Sequence, residues 1–377
     1  MHNRPRPVFR VRSGLQALAG ALAAVLLAAC ASSGTHTSPH ASPAAAAPVI
    51  APVASLPEPV LPPLRIGLAL GGGAAKGFAH IGVIKMLEAN GFKPDVVAGT
   101  SAGSVVGALY ASGMDPFQLQ EKAVALDEAS IRDVRLFSGG LVQGLKLQDY
   151  VNDQVGKRPL ERMRMPFAAV ATRLETGERA VFTRGNTGQA VRASSSVPGV
   201  FEPVTIGTYQ YVDGGVVSPV PVDAARQLGA DFVIAVDIST KAGGKRPDSM
   251  LGIVNQSIAI MGQRLGQQEL ARADVVLRPR VLDIGPAEFT RRNQAILEGE
   301  KAALAALPQI RAAIEKLQAQ RLGQAREARA RELQARQVPV RASVQGGAEA
   351  GPKPACKEAG SRWNPLRKKD AECVASN

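Results

Sequence analysis

Residues 64–103 read LRIGLALGGGAAKGFAHIGVIKMLEANGFKPDVVAGTSAG. Leu64–Leu70 is a short, continuous apolar run closed by glycine, the pattern of a strand buried on both faces. Gly71–Gly73 interrupts it. The spacing of Phe78, Ile81, Ile84, Met86 and Leu87 then predicts a helix over about 75–89, stopped by Asn90-Gly91. A second strand is expected over Asp95–Ala98, and Gly99–Gly103 turns it into a helix of small residues reaching about Ser112. Strand and helix alternating in this way predict an α/β fold, a largely parallel sheet covered on both faces.

Outward from that stretch the pattern continues. Helices are expected over Pro116–Glu128, Lys146–Val155, Gly188–Ser196, Val222–Leu228, Leu251–Ala271 and Phe289–Ile314. Strands are expected over Phe167–Thr172, Arg179–Thr183, Tyr209–Val212, Phe232–Val236 and Val275–Leu277, the first two paired through a turn near Glu175–Glu178. Phe137–Leu145 reads as a glycine-bearing loop. After about Leu317, Gln318–Gln337 is helix-forming but poor in large apolar residues, and the last forty residues read as an unfolded tail.

Charge separates the termini from the body. The chain of 377 residues carries 45 basic and 32 acidic side chains, a formal +13. Residues 1–30 hold four arginines and no acid, residues 301–377 hold 15 bases and 7 acids, and the 270 residues between hold 26 against 25. A nucleic-acid binder concentrates positive charge on its folded module, so this distribution argues against nucleic acid as a partner.

The N-terminal charge belongs to an export signal. Basic residues 1–13 run into the apolar stretch Leu15–Ala29, too short for a permanent span, followed by Cys30. LAAC at Leu27–Cys30 resembles the lipobox of bacterial lipoproteins. That resemblance implies a signal peptide over 1–29 and lipidation at Cys30. It also implies a protein held by acyl chains on a membrane, the outer membrane facing the periplasm given Ala31-Ser32. An ordinary secretory signal is the alternative. Residues 30–63, rich in Ala, Pro and Ser, read as a tether to a catalytic domain over 64–316, with a basic extension over 317–377. Cys356 and Cys373 in that extension are a candidate disulfide, and Trp363 among Arg362, Arg367, Lys368 and Lys369 suits contact with an anionic surface.

Chemistry is carried by three segments. Gly99-Thr100-Ser101-Ala102-Gly103 fits G-x-S-x-G between a strand and a helix, the context in which a serine is held on a tight turn above a sheet edge. Its base is not a histidine of the usual order, because the four histidines are His2, His36, His40 and His80, and none follows Ser101. His80 lies inside the first helix and reads as a packed residue. A carboxylate must therefore accept the proton. Asp213, at the end of an apolar strand and followed by Gly214 and Gly215, is best placed; Asp237 is its competitor, and Asp95 sits on the wrong edge. Gly71, Gly72 and Gly73 offer unobstructed amides for an oxyanion hole or for a phosphate. GGGAAKG lacks both the G-K-[ST] ending of a P-loop and the spacing G-x-G-x-x-G, which argues against a nucleotide.

Together, Gly71–Gly77, Gly99–Gly103 and Asp213-Gly214-Gly215 resemble the patatin-like phospholipase family over roughly residues 66–277. The resemblance implies a three-layer α/β/α sandwich and a lipid acyl hydrolase needing no metal or cofactor. By the same resemblance Ser101 is the nucleophile, Asp213 the dyad carboxylate and Gly71–Gly73 the oxyanion loop, acting on a lipid or lysophospholipid ester. Lys76 stands where the family commonly has arginine, and Ser196 where alanine is usual; Ser194–Ser196 are expected to pack and hydrogen-bond rather than to react. An acyltransferase using the same dyad, and a non-catalytic lipid- or protein-binding lipoprotein, are the competing readings.

Overall fold

Apolar runs without alternation build the centre of the sheet. In the computed structural model, which describes residues 57–126, 133, 142–241 and 247–337, β1 (Ile66–Leu70) lies between β2 (Val96–Thr100) and β7 (Phe232–Val236), parallel to both. β2 and β7 are buried at every position. Beyond β7 comes β8 (Val275–Leu277), and beyond β2 comes β3 (Phe167–Arg173), both again parallel. Three antiparallel strands complete the sheet: β4 (Arg179–Phe182), β5 (Val204–Ile206) and β6 (Tyr209–Asp213).

The register of β3 determines where the site forms. β2 pairs with Phe167–Val170, β4 with Ala169–Thr172, and β6 with Ala171–Arg173. A strand has two edges, and β4 overlaps both of the others, so β2 and β6 share the opposite edge of β3 and meet end to end there. Thr100 pairs with Val170 and Asp213 with the next residue, Ala171.

Helices cover both faces, as expected. On one side α1 (Ala79–Ala89), α2 (Ala102–Ala111), α3 (Pro116–Ala125), α4 (Leu145–Gln154), α5 (Thr187–Ser194) and α8 (Arg292–Gln337) contribute to a core with Leu68, Leu70, Phe167, Phe232 and Ile234. On the other, α6 (Val222–Gln227) and the end of α7 (Met250–Leu270) meet Ala69, Ala98, Ala168 and Ala235. That second face is built of small side chains, which lets α6 lie close to the sheet. The result is the three-layer α/β/α sandwich with a mostly parallel sheet.

Several expectations shift. The first helix begins as a 3-10 turn over Ala74–Phe78, because Gly77 must press against Ala102, where a Cβ would stand 2.6 Å from the Ala102 Cβ. β2 runs on to Thr100, and β5 was not expected. The last helix does not stop near 314: α8 has 46 residues, crosses position 317 without a break and contains Pro308. Its second half is helix-forming by composition and is anchored by Arg321 near Asp231 (3.9 Å) and by an Arg326–Glu58 ion pair. The division at 316/317 is therefore compositional and not a break in the backbone. The signal peptide, Cys30, most of the tether, residues 137–141 of the loop over Phe137–Leu145 and the tail with Cys356 and Cys373 lie outside the described residues.

Candidate active site

Ser101 occupies the turn between β2 and α2 with φ 53° and ψ −123°, a backbone conformation rare for a side-chain-bearing residue. The surroundings enforce it. A Cβ on Gly99 would stand 2.3 Å from the Gly103 carbonyl oxygen, and one on Gly103 2.1 Å from that of Leu70. These two flanking glycines are needed for backbone to approach backbone. The Ser101 amide donates to Ser194 Oγ (2.9 Å), whose own hydroxyl donates to the Val170 carbonyl (2.6 Å). Ser104 Oγ donates to the Ser101 carbonyl (2.7 Å). The nucleophile's main chain is thus tied on both sides while its side chain reaches the cavity described below. As the N-cap of α2, Ser101 also sits in the positive field of that helix's first amides.

The end-to-end meeting of β2 and β6 delivers Asp213 to the same point. Its amide donates to the Ser196 carbonyl (2.8 Å), and its carbonyl accepts from Thr172 Oγ1 (2.9 Å). Gly214 is required here, since a Cβ would meet the Val170 oxygen at 2.1 Å. Oδ1 of Asp213 accepts from the Gly215 amide (2.7 Å), while Oδ2 is buried without a fully formed hydrogen bond. Burial pushes the carboxyl up to about 6, opposed by the Ser101 hydroxyl and the Gly215 amide. A carboxylate with one oxygen satisfied, the other free and a serine hydroxyl close enough to lower its pKa is equipped to take a proton.

The glycine loop departs from expectation. The Gly71 amide donates to the Val236 carbonyl and the Gly72 amide to the Pro219 carbonyl, each at 3.0 Å. Two of the three amides assigned to the oxyanion hole are therefore occupied in holding the loop to β7 and to the segment after Asp213. Among the described residues the Gly73 and Ala74 amides meet no acceptor. Ala74, at φ 52°, lines the cavity together with Ser101. Gly72 serves by being small: a Cβ there would lie 3.2 Å from the Ser101 Cβ.

The other charged candidates are engaged elsewhere. Lys76 is buried, and its Nζ donates to Thr240 Oγ1 (2.6 Å); burial lowers it to about 8 against the opposing pull of Asp237. It braces the loop against the end of β7 instead of facing the serine. Asp237 itself accepts from the Ser239 amide and hydroxyl and pairs with Arg278. Asp95 accepts from the Ile66 amide at the opposite edge. His80 is fully buried, with Nε2 2.8 Å from the Gly71 carbonyl; burial drives it down to about 4. A neutral ring whose Nε2–H donates to Gly71 supports the loop and is no base for Ser101.

A cavity of about 180 Å³ opens over the serine. Phe78, Val105, Val106, Leu147, Phe201 and Phe289 make its wall largely apolar, and Ser195, whose buried Oγ has no partner, adds one polar point beside Ser101. Such a lining suits an apolar group and disfavours a charged one.

One contributor was not expected from sequence. Glu269 of α7 is buried; it accepts from Ser218 Oγ and from the Val220 amide (3.0 Å). Ser218 in turn accepts at its carbonyl from Thr100 Oγ1 (2.8 Å), and Pro219 holds Gly72. Glu269 therefore fastens the segment that joins Asp213, the glycine loop and the residue before the nucleophile. Burial raises it to about 7, opposed first by these two donors. Glu269→Ala strips partners from a buried hydroxyl and a buried amide, an expected loss of about 2–4 kcal/mol in urea unfolding, with Glu269→Gln losing less. Parent-like unfolding of both variants would show that Glu269 is not a strut.

Comparison with known proteins adds to this geometry. Residues 68–226 match the family model described as patatin-like phospholipase. An uncharacterized NTE family protein of Mycobacterium tuberculosis is 36% identical over 187 residues, covering 49% of this chain and 52% of that one. Lysophospholipase NTE1 of Pyricularia oryzae is 30% identical over 278 residues, covering 65% of this chain and 18% of that protein. The chain thus spans about half the length of the mycobacterial relative and much less of the fungal one. Among solved structures, VipD from Legionella pneumophila superposes with a TM-score of 0.46 at 15% identity, covering 65% of this chain and 67% of that one. The stretch from residue 68 to residue 226, which holds the glycine loop, Ser101 and Asp213, is where this chain is similar to patatin-like phospholipases.

Proposed function

We propose that the chain is a serine-dependent lipid acyl hydrolase, of esterase, lysophospholipase or phospholipase A type, working through a Ser101–Asp213 dyad. The observation that carries this reading is the placement of both side chains at one junction of β2 and β6, beneath an apolar cavity. Similarity to patatin-like phospholipases over residues 68–226 supports it.

In the proposed reaction Ser101 Oγ attacks the ester carbonyl carbon and its proton passes to Asp213. Amides of Gly73 and Ala74 are the free donors for the tetrahedral oxyanion, a contribution worth several kcal/mol when preorganised. Collapse expels the alcohol, which takes the proton back from Asp213, and leaves the acyl group on Ser101. Water, deprotonated by the same carboxylate, then attacks the acyl-enzyme; as that adduct collapses Ser101 Oγ leaves, takes the proton back from Asp213, and the fatty acid is released. The acyl chain lies against Phe78, Val105, Phe201 and Phe289 throughout.

A fluorophosphonate probe should label the parent and not Ser101→Ala, whose ester hydrolysis should fall by about 10³-fold or more. Substantial turnover surviving that change removes the mechanism. Asp213→Asn should lose about 10²- to 10⁴-fold in kcat while keeping the fold.

Acidity offers a second test. Because the base must be ionised and burial holds it at about 6, kcat/KM should rise with pH through about that value and then level off. An acidic limb centred near the ordinary aspartate range, 3.8, would mean that Asp213 is not buried in the working enzyme.

We further propose export and lipidation at Cys30, with the domain held on the periplasmic face of an outer membrane. Cys30→Ser should move the protein from the membrane to the soluble fraction of cell extracts; undiminished retention counts against a lipid anchor.

A further inference from the structure

The first part of α7 carries an exposed apolar stripe. From Ser249 to Gln263 the sequence SMLGIVNQSIAIMGQ contains no charged residue. Met250 is 83% exposed, Ile253 55%, Val254 44%, Ile260 49% and Met261 53%. At helical spacing these five fall within an arc of about 120°, a stripe wide enough to face a core. Here it faces outward. A soluble helix spends its charged residues on that side, so an uncharged, exposed stripe of this length calls for a partner.

Its position relates it to the site. α7 meets the loop after Asp213 at Gly262 and beyond: a Cβ at Gly262 would lie 3.6 Å from the Gly215 oxygen and one at Gly266 3.3 Å from Pro219, and Glu269 bonds Ser218. The chain enters α7 from the C-terminal end of β7 and leaves it toward the start of β8, so residues 250–261 project past the edge at which Ser101 stands. At 1.5 Å per residue they extend about 18 Å beyond Gly262. Cations lie at the same end of the sheet. Arg264 lies on the same arc, and Lys241 and Arg280 are exposed at the cleft beyond β7 and β8. The acids of that cleft are engaged, Asp237 by Arg278 and Asp283 by Arg291; Asp248 is the remaining acid just ahead of the helix.

We infer that residues 250–261 form a bilayer-docking element that seats the active-site edge on a lipid surface carrying anionic headgroups. Apolar side chains of the stripe enter the acyl boundary, and Lys241, Arg264 and Arg280 meet the headgroups. Among the described residues no helix is long and apolar enough to cross a membrane, and the docking is interfacial. The inference rests on the proposed lipid substrate for its biological sense, but its test does not depend on catalysis.

The test uses the full-length chain carrying Cys30→Ser, which removes the proposed lipid attachment. Hydrogen exchange is followed with and without mixed phosphatidylcholine–phosphatidylglycerol vesicles. Amides of 250–261 should slow by about tenfold or more, while exposed amides of α8 stay unchanged. Ile253→Asp combined with Ile260→Asp should weaken vesicle partition by about tenfold or more and leave hydrolysis of a short, soluble ester within about twofold. Partition of the parent should fall in high salt and on pure phosphatidylcholine vesicles.

Ser101→Ala should partition like the parent, so a chain that docks through α7 yet cleaves no ester would defeat the hydrolase reading and support the docking. Unchanged exchange over 250–261, or unaltered partition of the double variant, overturns the inference. So does a dimer or protein complex that the double variant dissolves while vesicle partition is unaffected.

Discussion

Everything at the site depends on two strands meeting end to end along one edge of β3. Val170 holds Thr100, and Ala171 holds Asp213. Two adjacent positions of one strand thereby bring together residues more than a hundred positions apart in the chain. The junction cannot slip, because a one-residue shift of β6 would turn Asp213 to the opposite face of the sheet. The Val170 carbonyl makes the point tighter still: Ser194 donates to it, and Gly214 passes too close for any Cβ. Adding a side chain at Gly214 would push β6 from β3 and separate the dyad without touching either member.

Around this junction the protein buries polar groups that an ordinary sheet edge would expose. Ser101, Asp213, Ser194, Ser196, Ser218, Thr100 and Glu269 are all nearly or fully buried. Most are satisfied by one another or by backbone, which is the condition for tolerating such burial. Among the described residues the buried side-chain atoms without a partner are Oδ2 of Asp213 and Oγ of Ser195, at this junction, and Nδ1 of His80 and Nε of Arg173. Glu269 belongs to the satisfied set and shows how far the support extends, from α7 through Ser218 to the residue before the nucleophile.

The central fold was legible in the sequence because it is built from uninterrupted apolar runs. Phe232–Val236 and Val275–Leu277 have the bounds their composition suggests. The meeting of Ser101 and Asp213 was legible for a different reason: a serine on a forced turn and an aspartate held by two glycines each leave a local mark. What could not be read is where hydrogen bonds go. Three glycines advertise close approach, but only register shows that Gly71 and Gly72 spend their amides on Val236 and Pro219. Ser194 was marked as a hydrogen-bonding residue only by resemblance, without its partner, and Glu269 carries no local signal; their partners lie 93 and 51 residues away. The continuity of α8 across position 317 was not legible, because a fall in hydrophobicity looks like a boundary, although 318–337 reads as helix-forming and intrinsic propensity with a few ion pairs suffices to carry the helix on.

The geometry also explains why a carboxylate without histidine can serve here. The one described histidine is fully buried and driven to about 4 by burial, so at neutral pH it is an uncharged donor to the glycine loop. The carboxylate is moved the other way, to about 6, by the same physical cause. A stronger base is obtained, yet one still ionised in most molecules at neutral pH. Exposing Asp213 to water would return it toward 3.8 and weaken it as a base, and stabilising its charged form with a full second hydrogen bond at Oδ2 would also lower it. The base strength that the chemistry requires is therefore set by how dry the junction of β2 and β6 is.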